Sequence, residues 1–595
     1  MTYHAPVSES FFFLEHCTSL KRLAESGAVA ELSPDLVKSV LEEAGKFADQ
    51  MLVPLNRVGD KEGTIFENGV VRTPKGWKEA YRAWAEAGWN GLGAEVEYGG
   101  QGLPTIVNVA CLEFWSSACM AWGLGPILTI GAIEALQAHA SDELKKKYLV
   151  RMISGEWTGS MQLTEPQAGS DLATLRTRAQ RAADGSYRLK GIKIFISYGE
   201  HDMTDNIVHL VLARLPDAPP GTRGISLFLV PKFLVKDDGS LGTRNDVRAS
   251  GVEHKLGIHA SPTCTMVLGD NDGAVGYLVG EENRGLACMF TMMNQARLAV
   301  GIQGVAIAER ATQQALAFAR ERKQGAAPGG NGAAPIIAHP DVKRMLLTMR
   351  ALTAASRAIA YKCADALDRA KLLADKNERA AAQEEGNLLT PIAKAFSSDC
   401  GIEVASLGVQ VHGGMGFIEE TGAAQHYRDA RIAAIYEGTN GIQSIDLVTR
   451  KINQAGGATL ARMTAGYRDT ADRVAALNDP DFGALSTRLE EGIAALESAS
   501  KYLLAELGRN SVELFAGATP YLRLFGLVAG SAYLAEAALA SRAALKAGDK
   551  DPAHAARIAT ARFFAENLLP AATGLERTVT AGAQSVLQSE AALVA

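Results

Sequence analysis

Positive charge is in short supply in this chain. Its 60 Lys and Arg stand against 66 Asp and Glu in 595 residues, for a net charge of −6 and a pI near 6.1. Nucleic-acid binding needs a basic face, so that class is excluded. Paired cysteines are lacking as well. The seven present (17, 111, 119, 264, 288, 363 and 400) form no CxxC and no paired spacing. They read as buried reduced thiols in a cytoplasmic protein, with no metal site. The N-terminus, MTYHAPVSESFFFLEH, has neither the basic region nor the long apolar core of a signal peptide. The longest weakly polar run, Trp122 to Leu136, contains Glu134 and is too short to span a bilayer, so no transmembrane segment and a soluble protein are expected. Neither G-x-S-x-G nor H-E-x-x-H occurs, which leaves a serine esterase or a zinc hydrolase unsupported. No repeat of 20–50 residues is found.

What is present is 47% hydrophobic and long enough for more than one packed unit. Residues 33 to about 158 read as helices, starting at Ser33-Pro34-Asp35 with proline in the first turn. From about 160 to 279, short β-branched runs at 192–196, 207–212, 225–230 and 265–268 alternate with Gly, Pro, Asp and Asn. That is a strand-and-turn texture. Helical spacing returns at Cys288 and continues to about Lys451, broken by GAAPGGNGAAP at 325–335, an expected exposed loop. About 140 Ala- and Leu-rich residues follow Gly456-Gly457 and read as a further helical bundle, with Asp551-Pro552 opening one helix. The expected domains are 1–158 (helical), 159–279 (β), 280–453 (helical bundle) and 454–595 (additional helical bundle).

The most chemical segment is IYEGTNGIQ at 435–443. One carboxylate, Glu437, stands between an apolar run and a Gly-Thr-Asn-Gly turn that reads as a helix start, with Thr439 or Asn440 as its cap. Apolar surroundings disfavour a charged carboxylate and raise its pKa toward the range useful for a base.

Taken with this segment, MQLTEPQAGSD (161–171), KIFIS (193–197), EHKLGIHASPT (253–263), GEENRGL (280–286), NQARLAVG (294–301), RERKQG (320–325) and QVHGGMGF (410–417) occur in one order. In that order they resemble the acyl-CoA dehydrogenase family over roughly residues 35 to 450, and the C-terminal extension resembles its bacterial long form. The resemblance implies a mainly α fold with a central β domain: an α-helical N domain, a β-barrel-like middle domain, a helical-bundle C domain and the added helical domain. It implies FAD-dependent oxidation of an acyl-CoA thioester to trans-2-enoyl-CoA. Removing a hydride requires a redox cofactor, because no side chain accepts one.

Residue by residue, the resemblance makes Glu437 the catalytic base. A minority arrangement places the base at the position of Ala296, beside Arg297, and alanine cannot serve; Glu419 and Glu420 are the nearby alternatives. FAD contacts fall on Met161, Leu163, Thr164, Gly169, Ser170, Phe195, Ile196, Ser197, Thr439 and Gly441. Thr164 faces the polar edge of the flavin, Phe195 packs on it, and Ser197 bonds near N5. Phe195 is equally readable as the core of a strand. Arg322, Gln410, Gly413 and Gly414 are implied to reach the FAD of a neighbouring subunit, which calls for a homodimer or higher. Substrate contacts fall on Ser170, Asn294, Arg297 and Gly438, with Leu124 to Ile130 as the floor of the acyl pocket. The long-form subgroup implies either 3-methylmercaptopropionyl-CoA or a fatty acyl-CoA as substrate. Electron-transfer flavoprotein is the implied acceptor, and acyl-CoA oxidase or a long-chain acyl-CoA dehydrogenase is the alternative activity. The 454–595 segment is expected to bury its own apolar stripe.

Overall fold

Ser33 and Pro34 start a helix as their order predicts. Ser33 Oγ accepts the Leu36 N–H (3.2 Å), proline occupies the first turn, and Pro34–Phe47 follows. The computed structural model describes residues 3–509 and 511–594. Contacts divide the chain into two compact units: Met1–Gly45 with Thr105–Ser117 and Arg297–Ala595, and Lys46–Pro104 with Ala118–Ala296. The helix Gly285–Glu321 passes from the second unit into the first at Arg297.

In the first unit, three long helices, Gly285–Glu321, Pro340–Leu372 and Lys376–His412, precede the loop that carries Glu437. Helix begins well before residue 33, at Val7–Cys17 and Leu20–Glu25, whose Phe12, Phe13, Leu14, Leu20 and Leu23 are buried. Residues 325–335 are exposed as expected, but their ends pair as a short hairpin, Lys323–Ala326 with Ala333–Pro335.

The C-terminal region is helical, and Asp551 caps Pro552–Asn567 through the Ala553 N–H (2.9 Å). Its central helix, Glu513–Lys546, packs on Pro340–Leu372 and Lys376–His412. Glycines allow the approach: a Cβ at Gly526 would fall 2.2 Å from the Phe396 ring, and one at Gly530 would fall 2.9 Å from Ala355 Cβ. Arg523 pairs with Glu403 (2.9 Å) and Lys362 with Glu536 (2.6 Å) across the same contact. Among the described helices Glu513–Lys546, rather than the one containing Trp122 to Leu136, is long and apolar enough to be weighed as a membrane span. By length and composition it could cross a membrane, yet 83% of its apolar window is buried within the protein. No second helix among the described residues passes that test.

In the second unit, eight strands form one sheet. The path runs Val247–Val252, Thr263–Leu268, Tyr187–Ser197, Ala274–Val279, Ile225–Pro231, Asn206–Arg214, Trp157–Gln162. Arg178–Arg181 pairs with Tyr187–Ser197 and, through Arg178 opposite Arg214, with Asn206–Arg214, which closes five of the strands into a ring. Leu189, Val211, Phe228, Val230, Cys264 and Met266 fill the apolar core against them. The reading of residues 33 to about 158 as helices, broken at Gly99-Gly100 and Gly102, needs one correction. Ile65–Glu67 and Val70–Arg72 form a hairpin across Asn68-Gly69, whose φ values of 52° and 76° are what a tight two-residue turn requires.

Candidate active site

Glu437 lies on a loop that ends where Asn440–Asp446 begins. Its backbone is left-handed (φ +57°) and so is that of Gly438 (φ +81°), an arrangement that costs about 1–2 kcal/mol at a non-glycine residue. Surrounding bonds hold the loop there. Thr439 Oγ1 caps the helix by accepting the Ile442 N–H (3.2 Å). Gln443 Nε2 donates to the Glu437 carbonyl (3.2 Å), and Tyr436 donates its hydroxyl to Gln303 Oε1. Lys394 Nζ, from the helix Lys376–His412, donates to the Gly438 carbonyl and to Asn440 Oδ1, both at 2.8 Å.

Burial pushes the Glu437 carboxyl up to about 7, against the opposing pull of the Arg297 guanidinium and the Lys394 ammonium. The side chain is half-buried, so it sits in a recess rather than a sealed core. Arg297 is buried, with Asp446 and Glu437 as its opposite charges, which sets aside a surface salt bridge. Glu419 lies exposed and paired with Arg428 (2.8 Å), and Glu420 is exposed. Neither shares the apolar enclosure of Glu437.

In the second unit, Met161 lies next to the end of the strand Trp157–Gln162, and Leu163 and Thr164 follow it. Their carbonyls are held by the next strand: Lys193 Nζ donates to Leu163 O (3.0 Å) and the Ile194 N–H to Thr164 O (3.0 Å). Lys193 also pairs with Glu165 (2.8 Å), both fully buried. Glu165 in turn accepts the Arg176 and Thr177 N–H groups. Gly169 and Ser170 are exposed, and nothing approaches within 4 Å of a Cβ built on Gly169.

Phe195 is not a core residue. It has a φ of +58° and is 59% exposed, at a register shift between Tyr187–Ser197 and Thr263–Leu268. The extra residue of the bulge turns this ring out while Ile196 stays buried and Ser197 half-buried. Leu124, Ile127, Leu128 and Ile130 are buried on the helix Met120–His139, and Asn294 is exposed.

Four family models match in order: Acyl-CoA dehydrogenase, N-terminal domain (36–156), middle domain (160–271) and C-terminal domain (283–452), then Acetyl-CoA dehydrogenase C-terminal like (460–590). The chain is 46% identical over 589 residues to 3-methylmercaptopropionyl-CoA dehydrogenase of Ruegeria pomeroyi, covering 99% of both. The chain belongs to the acyl-CoA dehydrogenase family. It is also 34% identical to a butyryl-CoA dehydrogenase of Syntrophomonas wolfei, over 94% of this chain and 92% of that one. In fold it is similar to the Bacillus anthracis acyl-CoA dehydrogenase complexed with FAD (TM-score 0.72, 21% identity, 94% and 92% covered).

The remaining expected contacts of this acyl-CoA dehydrogenase lie apart from Glu437. Arg322 directly follows Gly285–Glu321, so along that helix it stands about 37 Å from Arg297 at ~1.5 Å per residue. Gln410, Gly413 and Gly414 are exposed at the end of Lys376–His412, where the His412 ring stacks on Phe318 at 4.4 Å. Gly441 is exposed beside Thr439. The structure therefore gathers Glu437, Gly438, Thr439, Gly441 and Arg297 in one group, and Arg322, Gln410, Gly413 and Gly414 at the far end of the same helices. Sequence reasoning missed Lys394, Gln303 and Gln443. A lone lysine inside the apolar run Ile392–Phe396 was the available signal for the first.

Proposed function

We propose that this enzyme is an FAD-dependent dehydrogenase that converts an acyl-CoA thioester to its trans-2-enoyl-CoA, with Glu437 as the base. The observation that carries the reading is a solitary carboxylate tuned to about 7 on a loop braced from three directions. The residues present fit the cofactor. An aromatic ring turned out of its sheet at Phe195, an open Gly169, and exposed backbone at Gly413 and Gly414 suit a planar ring and a pyrophosphate. Met161, Leu163, Thr164, Ser170, Ile196, Ser197, Thr439 and Gly441 complete the contacts, and Arg322 and Gln410 serve the adenosine side.

Bound FAD supplies the acceptor for the β-hydride, at N5. Glu437 removes the α-proton, and the C–H electron pair left behind becomes the new Cα=Cβ bond as the hydride departs. No hydrogen-bond partner is found among the described residues for the Glu437 N–H, which leaves it to polarise the thioester carbonyl and acidify the α-proton. Arg297 braces the loop, and Ser170, Asn294 and Gly438 contact the substrate.

The substrate is 3-methylmercaptopropionyl-CoA or a short- to medium-chain fatty acyl-CoA, supported by the activities named for the two relatives. The acceptor is electron-transfer flavoprotein. The enzyme is a cytoplasmic homodimer or larger assembly, supported by exposed Met415, Phe417, Ile418 and Tyr427 near the outer cofactor residues and by seven buried free cysteines. The 1–158, 159–279, 280–453 and 454–595 segments are its four domains.

Anaerobic titration of the yellow enzyme with both classes of acyl-CoA tests this reading. Flavin bleaching without oxygen uptake on re-aeration is expected, with the lowest half-saturation for the true substrate. Oxygen consumption at the turnover rate would make it an oxidase. Because only the ionised carboxylate accepts a proton, kcat/KM should fall tenfold per pH unit below about 7. A profile flat from pH 8 to 5.5 would exclude Glu437 as the titrating base.

A further inference from the structure

The loop that carries Glu437 is fastened by one face of a single helix. Lys394, Ala395, Ser398 and Asp399 all reach it: Lys394 Nζ donates to Gly438 O and Asn440 Oδ1 at 2.8 Å. Asn440 Nδ2 answers by donating to Ala395 O (3.2 Å), Ser398 Oγ (3.0 Å) and Asp399 Oδ1 (2.7 Å). Lys394 has no exposed surface. A buried ammonium is costly unless something returns the lost hydration, and a purely apolar residue would fill the same helix position at no such cost. What this ammonium holds is the carbonyl of the second of two consecutive left-handed residues. It is also one of the two cations whose charge acts on the Glu437 carboxylate, the other being Arg297.

We propose that Lys394 is a positioning residue for the base: its ammonium locks the Glu437–Gly438 turn in its left-handed form and stands as a second cation beside the Glu437 carboxylate. The inference rests on Glu437 being the base. Without Lys394 the Gly438 carbonyl loses its donor, the turn relaxes toward an unstrained backbone, and the carboxylate swings from its line of attack. The charged groups around the carboxylate are few. The helix Gly285–Glu321 contributes Arg297, and Lys376–His412 contributes Lys394, with Asp399 beyond it. Tyr436 precedes it, and Asp446 and Arg450 face Arg297 rather than Glu437. Burial holds both cations below their ordinary ranges: Lys394 falls to about 8, opposed by Glu437 and Asp399 and helped by Arg297. The fall of Arg297 is opposed by Asp446 and Glu437 and helped by Arg450.

Two variants separate the hydrogen bond from the charge. Lys394→Gln keeps a donor for Gly438 O and loses the cation; Lys394→Met loses both. With each holoenzyme, the acid limb of kcat/KM should move up by about one pH unit, because a carboxylate with one fewer neighbouring cation is harder to ionise. The kcat of Lys394→Met should fall roughly 10- to 100-fold, that of Lys394→Gln less, and KM should stay within about threefold in both. Asn440→Ser loosens the same turn but leaves the ammonium in place, so its kcat should fall with the acid limb unmoved. A readout independent of turnover is the infrared carboxyl band that Glu437→Gln removes, which should titrate at higher pH in both lysine variants. Folded Lys394→Met with the wild-type acid limb and the wild-type band position would overturn the proposal. If Glu437→Gln itself bleaches normally, the underlying assignment of the base fails instead, whatever the lysine variants do.

Discussion

Glu437→Gln is expected to lower kcat/KM by about 10²- to 10⁴-fold, the usual worth of a positioned general base. The amide has the shape of the carboxylate, and every bond that sets the loop comes from elsewhere: Gln443 to the Glu437 carbonyl, Lys394 to Gly438, Thr439 to Ile442. The variant should therefore keep its yellow cofactor and bind acyl-CoA, yet fail to bleach in an anaerobic titration. It should also lose the acid limb near pH 7, since the group that titrates there is gone. A useful by-product follows from the sign of the shift. A carboxyl whose folded pKa is raised lends stability at low pH and withdraws it as pH rises through about 7. The variant should then be slightly more stable than wild type at pH 8 and no different at pH 4. Normal bleaching by Glu437→Gln would mean another base. The exposed, ion-paired Glu419 is poorly prepared for that task.

Much of this was legible because the informative signals were local. Thr439 and Asp551 cap their helices as residue type and position dictate, and Pro34 opens its own. That Glu437 is lifted agrees with the expectation drawn from the apolar run Ile432–Tyr436 before it. What escaped notice depended on distance or on a competing local rule. For Phe195 the flavin contact is an expectation of the resemblance, and only its reading as strand core fails, because a bulge whose register is set by the partner strand turns the ring outward. Asn68-Gly69 is a local turn signal that the helical spacing around it masks. The apolar helix Glu513–Lys546 is diluted by alanine and glycine, and its glycines make sense only beside Phe396 and Ala355, more than 100 residues earlier. Lys394 earns its meaning from a carbonyl 44 residues away in sequence.

Arg357→Leu is expected to cost about 3–5 kcal/mol of stability, the largest effect predicted outside the active site. Arg357 lies among the buried groups of the first unit, its Nη2 2.6 Å from Glu113 Oε1 and 2.8 Å from Glu309 Oε2, and its Nε 2.9 Å from Glu113 Oε1. Tyr361 donates to Glu113 Oε2 (2.8 Å). Glu113 has no exposed side-chain surface, so removing the guanidinium strands a carboxylate where water cannot replace it. Burial pushes the Glu309 carboxyl up, but the guanidinium and its hydrogen bond outweigh this and hold it below the usual range. In wild type that contribution is present above about pH 4.5 and lost as pH falls further. In the variant the dependence should reverse. Acid allows the stranded carboxylates to protonate, so the gap from wild type should narrow between pH 7 and 5 in guanidinium unfolding. The double change Arg357→Leu with Glu113→Leu should recover part of the loss, because an apolar pair of similar volume strands fewer charges, leaving only Glu309. If Arg357→Leu costs under about 1 kcal/mol at pH 7, the cluster is hydrated rather than dry.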